Sequence, residues 1–344
     1  MQNLDWSNLG FAVRKTNAVI VSRFADGKWS APEVCPDLNF NMSCYAGSLH
    51  YAISCFEGLK AFRGADDKVR LFRPDENAKR MARTADFLQM PCPSEQMFMD
   101  MCFMCVKENI DFLPPFGYNA SMYIRPLLMG TNPQLGLTTA TEAVFAVMGN
   151  PVGTYGGASL EAVPAIISRD LDRAAPNGSG SYKVGANYAA SFRAYNIAHA
   201  AGYGELLFLD SKTKSKIDEF GSSNFIAIKG NSYVTPLSDS VLPSITNKSL
   251  QALAADLGMN VEKRDIKVEE LAELDEVNAC GTAVVITPIC SITDKSSLQA
   301  PEIIKKYDIC AKGACGEVSR KLYNMIRGIQ DGTQPDIHNW CFEL

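Results

Sequence analysis

The sequence predicts two domains of mixed helix and strand, α+β or α/β in class. Three observations carry that expectation. The chain has 344 residues, 47% hydrophobic and 21% charged, enough to bury two cores of ordinary size. Short apolar strand-like runs alternate with helical patterns along its length. Between two strongly patterned halves lies Asn150-Pro-Val-Gly-Thr-Tyr-Gly-Gly-Ala-Ser159, whose glycines and proline suit a linker. The expected division is a small α/β domain over 1–149, a linker over 150–159 and a larger domain over 160–344.

The first half opens with a hairpin signal. Ala18-Val-Ile-Val-Ser-Arg-Phe24, the turn Ala25-Asp-Gly-Lys28 and Trp29 read as two strands around a tight turn. A glycine-punctuated segment, Tyr45 to Gly64, follows, and then a strand-like run, Val69-Arg-Leu-Phe72. Pro74 with Asp75 and Glu76 opens a helix whose apolar face carries Ala78, Met81, Ala82, Ala85 and Leu88. A second helix is expected over 94–112, then strands over 121–129 and 143–148.

In the second half the pattern predicts strands over 162–168, 206–210, 223–228, 233–235 and 284–292. The run Ser211-Lys-Thr-Lys214 suggests a hairpin turn. Helices are expected over 187–201, ended by Gly202, over 245–257 and over 317–330. No internal repeat or low-complexity segment stands out.

Charge and cysteine usage exclude several classes. The net charge is −5 and no Lys/Arg block occurs, so no nucleic-acid footprint is expected. The start, MQNLDWSNLG, has neither a basic opening nor an apolar core, and no apolar run reaches membrane-spanning length, so a cytoplasmic site is expected. The eleven cysteines are scattered, with Cys102 and Cys105 the one C-x-x-C pair. That pair sits in an apolar helix pattern, and the chain has three histidines, His50, His199 and His338. Reduced, buried thiols and no metal are the expectation.

Lys183 stands in Gly178-Ser-Gly-Ser-Tyr-Lys-Val-Gly-Ala-Asn-Tyr-Ala-Ala-Ser191. Small neighbours leave room around the amine and little bulk to solvate it. Desolvation disfavours the ammonium form, and a neutral lysine can form a Schiff base with an aldehyde cofactor. A surface lysine on a Gly/Ser loop is the alternative for this stretch taken alone.

Further segments decide between the two: Tyr51-Ala-Ile-Ser-Cys-Phe-Glu-Gly-Leu-Lys-Ala-Phe62, Lys79-Arg-Met-Ala-Arg-Thr-Ala85, Tyr123-Ile-Arg-Pro126, Tyr182-Lys-Val-Gly-Ala-Asn-Tyr188, Asp218-Glu-Phe-Gly-Ser-Ser-Asn-Phe225, Leu242-Pro-Ser-Ile-Thr246 and Gly281-Thr-Ala283. In this order they resemble the branched-chain amino acid aminotransferases, pyridoxal-phosphate enzymes of fold type IV, the D-amino acid aminotransferase-like fold. The resemblance runs nearly end to end. It implies reversible transamination of leucine, isoleucine and valine with 2-oxoglutarate, with pyridoxal 5′-phosphate as cofactor and 160–344 as the cofactor-binding domain.

The same resemblance implies roles. Lys183 matches the catalytic Schiff-base lysine, which also moves the substrate Cα proton. Glu219 matches the carboxylate against the pyridine nitrogen, and Tyr188 the tyrosine at the cofactor's O3′. Ile245 and Thr246, following Pro243 at a helix start, match the phosphate site, where N–H groups and the helix dipole favour an anion. Arg80, Thr282 and Arg173 match further phosphate partners. Tyr51, Phe56, Tyr123, Arg125 and Tyr155 match the substrate pocket, with Arg125 meeting the distal carboxylate of 2-oxoglutarate, and Ala283 lies near the substrate α-carboxylate. Leu135 and Leu137 match a loop that completes the neighbouring active site in a homodimer. Asn224 is expected to support the pocket, with no separate role assigned to it.

The chain departs from the mammalian branch at Val284 and Thr287, where that branch carries a C-x-x-C pair, so thiol switching there is not expected. Phe220 and Ser222 replace a smaller apolar residue and a threonine. The rivals are a D-amino acid aminotransferase or an aminodeoxychorismate lyase of the same fold, and a non-catalytic pyridoxal-phosphate-binding protein.

Overall fold

Asp26 and Gly27 both adopt positive φ, 51° and 76°, the backbone that a two-residue hairpin turn demands. Across it strands β1 (Val19–Ala25) and β2 (Lys28–Trp29) pair antiparallel. The structure, a computed structural model, describes residues 4–153, 160–175 and 177–344. Two units divide it: Met1–Ala158 with Tyr182–Gly185 and Gly328–Leu344, and Ser159–Ser181 with Ala186–Arg327.

The first unit is built on a sheet that also holds β3 (Glu33–Cys35), β4 (Ser54–Phe56), β5 (Leu59–Arg63), β6 (Val69–Phe72), β7 (Ser121–Gly130) and β8 (Ala143–Val152). The short helix α1 (Gly47–Tyr51) precedes β4. Helices α2 (Pro74–Phe87) and α3 (Glu95–Glu108) cover one face of the sheet. Ala78, Met81 and Ala85 of α2 meet Phe98, Met101, Cys102 and Cys105 of α3 over Leu59, Met122, Ile124, Leu128 and Phe145. Alternation along β7 sends Met122 and Ile124 into this core and turns Tyr123 and Arg125 to the other side. All eleven cysteines are free thiols. Burial pushes the Cys105 thiol up to about 12, as expected of packing rather than reactive cysteines.

Two segments depart from the expected division. Gly328–Leu344 belongs to the first unit, because the strand Cys341–Glu343 pairs with β6 and Trp340 packs edge-on against Phe72. Tyr182–Gly185 also belongs there: Val184 bridges to Cys55 and the Lys183 carbonyl accepts from the Phe56 N–H at 3.3 Å. β8 runs on through Val152, so the first residues of the expected linker are strand, while 154–159 lie outside the described residues.

In the second unit β9 (Val163–Ser168), β10 (Glu205–Leu209), β11 (Ile217–Phe220), β12 (Asn224–Lys229), β13 (Ser232–Pro236), β14 (Asn260–Arg264), β15 (Glu276–Gly281), β16 (Val285–Lys295) and β17 (Ile303–Asp308) form one ladder system. Its path is β11-β10-β9-β16-β15-β12, and β11 pairs back to β12 at Glu219 opposite Asn224. The ladder thus closes on itself, which leaves those strands without open edges. Ala165, Ile167, Leu207 and Leu209 face an inner core, while Ile166, Leu206 and Phe208 pack on Ala194 and Ala198 of α4 (Gly185–Ala200). Helix α5 (Ile245–Asp256) starts at Ser244, whose side chain accepts from the Asn247 N–H. Helix α6 (Glu317–Gln330) follows β17.

Asn109 shows how much the first unit rests on single polar side chains. It is fully buried. Its amide accepts from the Ala18 N–H at 3.0 Å and donates to the Ala18 and Cys105 carbonyls at 2.9 and 2.8 Å, tying the entry to β1 to the end of α3. Asn109→Ala strands a buried N–H and a buried carbonyl, which costs about 2–4 kcal/mol. The expected outcome is a lower midpoint for the first urea transition, and a midpoint within error of the parent would contradict this account.

Candidate active site

In the first unit a cluster gathers around Lys183. Its N–H donates to Thr84 Oγ1 at 3.2 Å, and its Nζ lies 4.8 Å from the centre of the Phe56 ring. Thr84 belongs to α2, one turn after Arg80. Tyr182 stacks on Phe87 at the end of the same helix, with centroids 3.9 Å apart and planes 12° apart, and Arg83 sits 4.7 Å from the Tyr182 ring. One face of α2 therefore holds the lysine segment by backbone and by ring.

Phe56, Tyr123 and Arg125 come together. Arg125 Cζ lies 4.6 Å from the Phe56 ring centre and 5.2 Å from that of Tyr123. Its Nη2 donates to Tyr123 Oη at 3.1 Å. Its Nε is buried without a hydrogen-bond partner among the described residues. The approach of Tyr123 demands a glycine at position 58, where an added Cβ would lie 1.9 Å from the phenol oxygen. Tyr51 ends α1, half exposed, and its hydroxyl donates to the Leu135 carbonyl. Leu135 and Leu137 are themselves exposed. Tyr155 lies outside the described residues.

Arg80 brings an unforeseen partner. Its Nε and Nη2 donate to the two carboxylate oxygens of Glu57 at 2.8 and 2.7 Å, and Asn77 Nδ2 adds a third bond at 2.7 Å. Glu57 has no exposed surface. Sequence reasoning missed it, although an acidic residue inside the apolar run Ser-Cys-Phe-Glu-Gly-Leu was a signal, since buried carboxylates need partners.

The second unit carries the rest. Glu219 lies on β11, buried. Burial pushes its carboxyl up to about 7, restrained by the Arg173 guanidinium, the Leu242 N–H and the Asn224 amide. Arg173 Nη2 is 2.9 Å from Glu219 Oε1 and also donates to the carbonyls of Gly180 and Ser240. The expected phosphate partner is thus committed to the expected pyridine acid, a pairing the sequence did not reveal because the two lie far apart along the chain. Gly221 passes close to Tyr195, where a Cβ would meet the ring at 2.5 Å.

Ile245 and Thr246 open α5 and are buried. First-turn N–H groups of a helix have no acceptor within it, so they are available to an anion. Thr282 and Ala283 lie in the tight connection between β15 and β16, next to Val285 at φ 72°. A β-branched residue in the left-handed region is strained, and such strain gathers at functional turns. Tyr188 is half-buried on the first turn of α4. Arg173 Nε and Ser223 Oγ are buried without partners among the described residues. A buried acid, orphaned donors and a helix N-terminus are what a compact anionic aromatic group requires, so these residues fit pyridoxal phosphate. Among the described residues no group of His, Cys, Asp or Glu could hold a metal ion, and no helix is long and apolar enough to cross a membrane.

The amino-transferase class IV family model matches residues 54–292. A branched-chain-amino-acid aminotransferase of Helicobacter pylori is 40% identical over 347 residues, covering 100% of this chain and 99% of that protein. The crystal structure of the Escherichia coli branched-chain amino acid aminotransferase matches with a TM-score of 0.76 and 27% identity, over 95% of this chain and 99% of that one. A T.th. branched-chain amino acid aminotransferase, complexed with N-(5′-phosphopyridoxyl)-L-glutamate, matches with a TM-score of 0.74 and 25% identity, over 95% and 99% of the two chains. The family match spans more than half the chain and the bacterial relative spans all of it, so this protein belongs to the class IV aminotransferases.

Proposed function

We propose that this aminotransferase moves amino groups reversibly between leucine, isoleucine or valine and 2-oxoglutarate, with pyridoxal 5′-phosphate as its cofactor. The observation that carries the reading is the Phe56–Tyr123–Arg125 cluster, an aromatic wall with one guanidinium set into it. Ring faces bury an aliphatic side chain, roughly 1.5–3 kcal/mol for one of leucine size. The guanidinium meets the distal carboxylate of glutamate or 2-oxoglutarate. The names of the relatives described above point the same way.

Pyridoxal phosphate, when bound, supplies an aldehyde for the amine and a ring that takes up the electron pair left when the substrate Cα loses its proton. The chain's residues hold it and move protons. Lys183 Nζ provides the amine and then carries the Cα proton. Glu219 stabilises a proton on the ring nitrogen, and Tyr188 donates to the ring hydroxyl oxygen. The first-turn N–H groups of Ile245 and Thr246, with Thr282 and Arg80, bind the phosphate. We assign Arg173 to the Glu219 carboxylate instead, on the strength of their 2.9 Å contact. The turn at Ala283 receives the substrate α-carboxylate, and Tyr51 lines the substrate pocket. The exposed Leu135 and Leu137, bonded through the Leu135 carbonyl to Tyr51, suit a loop that reaches a second copy, and we assign the protein as a homodimer.

Steady-state turnover with leucine and 2-oxoglutarate tests the reading, together with borohydride reduction, which should fix the pyridoxyl group on Lys183. Attachment to another lysine, or turnover confined to D-amino acids, would overturn it.

Glu219→Gln should retain cofactor while kcat falls roughly ten- to a hundredfold, because a hydrogen bond to a charged group contributes roughly 1.5–3 kcal/mol. Unchanged kcat would remove Glu219 from the ring nitrogen.

Arg125→Met should lower kcat/KM for glutamate and 2-oxoglutarate at least roughly tenfold more than for leucine. A dicarboxylate left without its ionic partner in a desolvated pocket loses a few kcal/mol, whereas methionine keeps the wall filled for an aliphatic substrate. Single-turnover absorbance of each half-reaction measures both, and equal losses would mean that the distal carboxylate is read elsewhere.

A further inference from the structure

Four buried side chains of the second unit, Thr235, Asn247, Asn224 and Glu219, form a hydrogen-bonded chain whose direction is fixed from end to end. Thr235 Oγ1 gives its proton to the Phe225 carbonyl at 2.9 Å. It can then only accept from Asn247, whose Nδ2 lies 2.9 Å away. That sets the Asn247 amide: its other proton goes to Asn224 Oδ1 at 3.0 Å, and its own oxygen accepts from Tyr233 Oη at 2.8 Å and Gln251 Nε2 at 3.0 Å. With its oxygen engaged, Asn224 turns its NH2 to the Leu242 carbonyl at 3.0 Å and to Glu219 Oε2 at 2.8 Å. Each amide has both N–H donors and its oxygen engaged, and reversing Asn224 would set donor against donor and acceptor against acceptor.

We propose that Asn247 is a positioning residue for Glu219: through Asn224 it guarantees that the carboxylate faces a hydrogen-bond donor. Asn247 also occupies the first turn of α5, where its N–H is held by Ser244 Oγ at 3.2 Å. The orientation of the acid is thereby tied to the helix whose first N–H groups, Ile245 and Thr246, are assigned to the phosphate. This inference rests on the reading of Glu219 as the partner of the pyridine nitrogen. The other groups facing Glu219 are the Arg173 guanidinium, the Leu242 N–H, Asp218, which disfavours its charge, and the Cys280 thiol, whose own ionisation Glu219 disfavours.

Without Asn247 the Asn224 oxygen loses its donor, only the Leu242 carbonyl and Glu219 itself still hold the amide, and its oxygen can swing toward the carboxyl group. The ionised form then loses a donor and the proton binds more tightly. The test uses the full-length protein with glutamate carbon-13-labelled at the side-chain carboxyl, loaded with pyridoxal phosphate nitrogen-15-labelled in the ring. Glu219→Gln identifies the Glu219 signal. Asn247→Leu should raise the proton affinity of Glu219 about tenfold or more. Tyr233→Phe removes a hydrogen bond from the same amide but leaves the donor to Asn224 in place, and should change that affinity less than about twofold. If the leucine variant does not fold, Asn247→Ala, which adds no bulk, gives the same comparison. An unchanged Glu219 titration in the Asn247 variant, or an equal change in Tyr233→Phe, overturns the proposal. The ring-nitrogen signal separates the two readings: if Glu219→Gln leaves ring protonation unaltered, the pyridine assignment fails while the carboxyl titration still decides the role of Asn247.

Discussion

A single buried ion pair organises the first unit. Glu57 has no exposed surface and lies between Phe56, in the aromatic cluster, and Gly58, against which Tyr123 packs. A carboxylate there is tolerable only because Arg80 grips both oxygens and Asn77 adds a third donor. Removing one partner of such a pair typically costs about 3–5 kcal/mol, since the other charge stays buried. The geometry propagates along α2. Asn77, Arg80, Thr84 and Phe87 recur at helical spacing on one face. The first two hold Glu57, the third holds the Lys183 N–H, and the fourth stacks on Tyr182. The pair that satisfies Glu57 therefore also sets the register in which the lysine segment docks.

The second unit handles its buried acid differently. Glu219 meets a single guanidinium nitrogen, one backbone N–H and one amide, and burial dominates its protonation, holding the carboxyl at about 7. Glu57 is locked between two donors of a planar fork, which suits a structural anchor. A group poised near neutrality responds to whatever cation approaches it. Closure of the ring of strands at the pairing of Glu219 with Asn224 places this group on a strand bonded to neighbours on both sides.

Much of this was legible in the sequence, and the gaps have physical causes. Pro74 with its acidic first turn announced α2, and Asp-Gly announced the first hairpin, because helix starts and two-residue turns depend on local chemistry. The strands Ser54–Phe56 and Leu59–Arg63 hid in a glycine-rich segment, being too short for a periodic signal. The strand Asn260–Arg264 is largely exposed and polar, held by parallel pairing with β13, so no apolar pattern marks it. Cys341–Glu343 depends wholly on its partner β6, some 270 residues earlier. Lys183, Glu219 and Arg125 could be nominated from motifs. Their partners Thr84, Arg173 and Phe56 come from distant sequence, and pairings of that kind are set by topology. Asn247 was invisible for the same reason: on a helix it reads as a polar surface residue, and only the fold buries it.

The placement of Arg125 bears on how one pocket serves two chemistries. A guanidinium paired with a carboxylate offers less net charge to a substrate. This one is held mainly by ring faces, with one hydrogen bond to a phenol and a buried Nε that has no partner among the described residues. Cation–π contacts of this sort contribute about 0.5–2 kcal/mol each, enough to fix the side chain but not to cancel its charge. The proposed wall is then apolar in shape and electropositive at one point. On the proposed function an aliphatic side chain would meet the rings and a carboxylate the guanidinium, so alternate substrates would need no rearrangement of the wall. Gly58 makes this possible, because any side chain there would push Tyr123 away and leave Arg125 without its second ring.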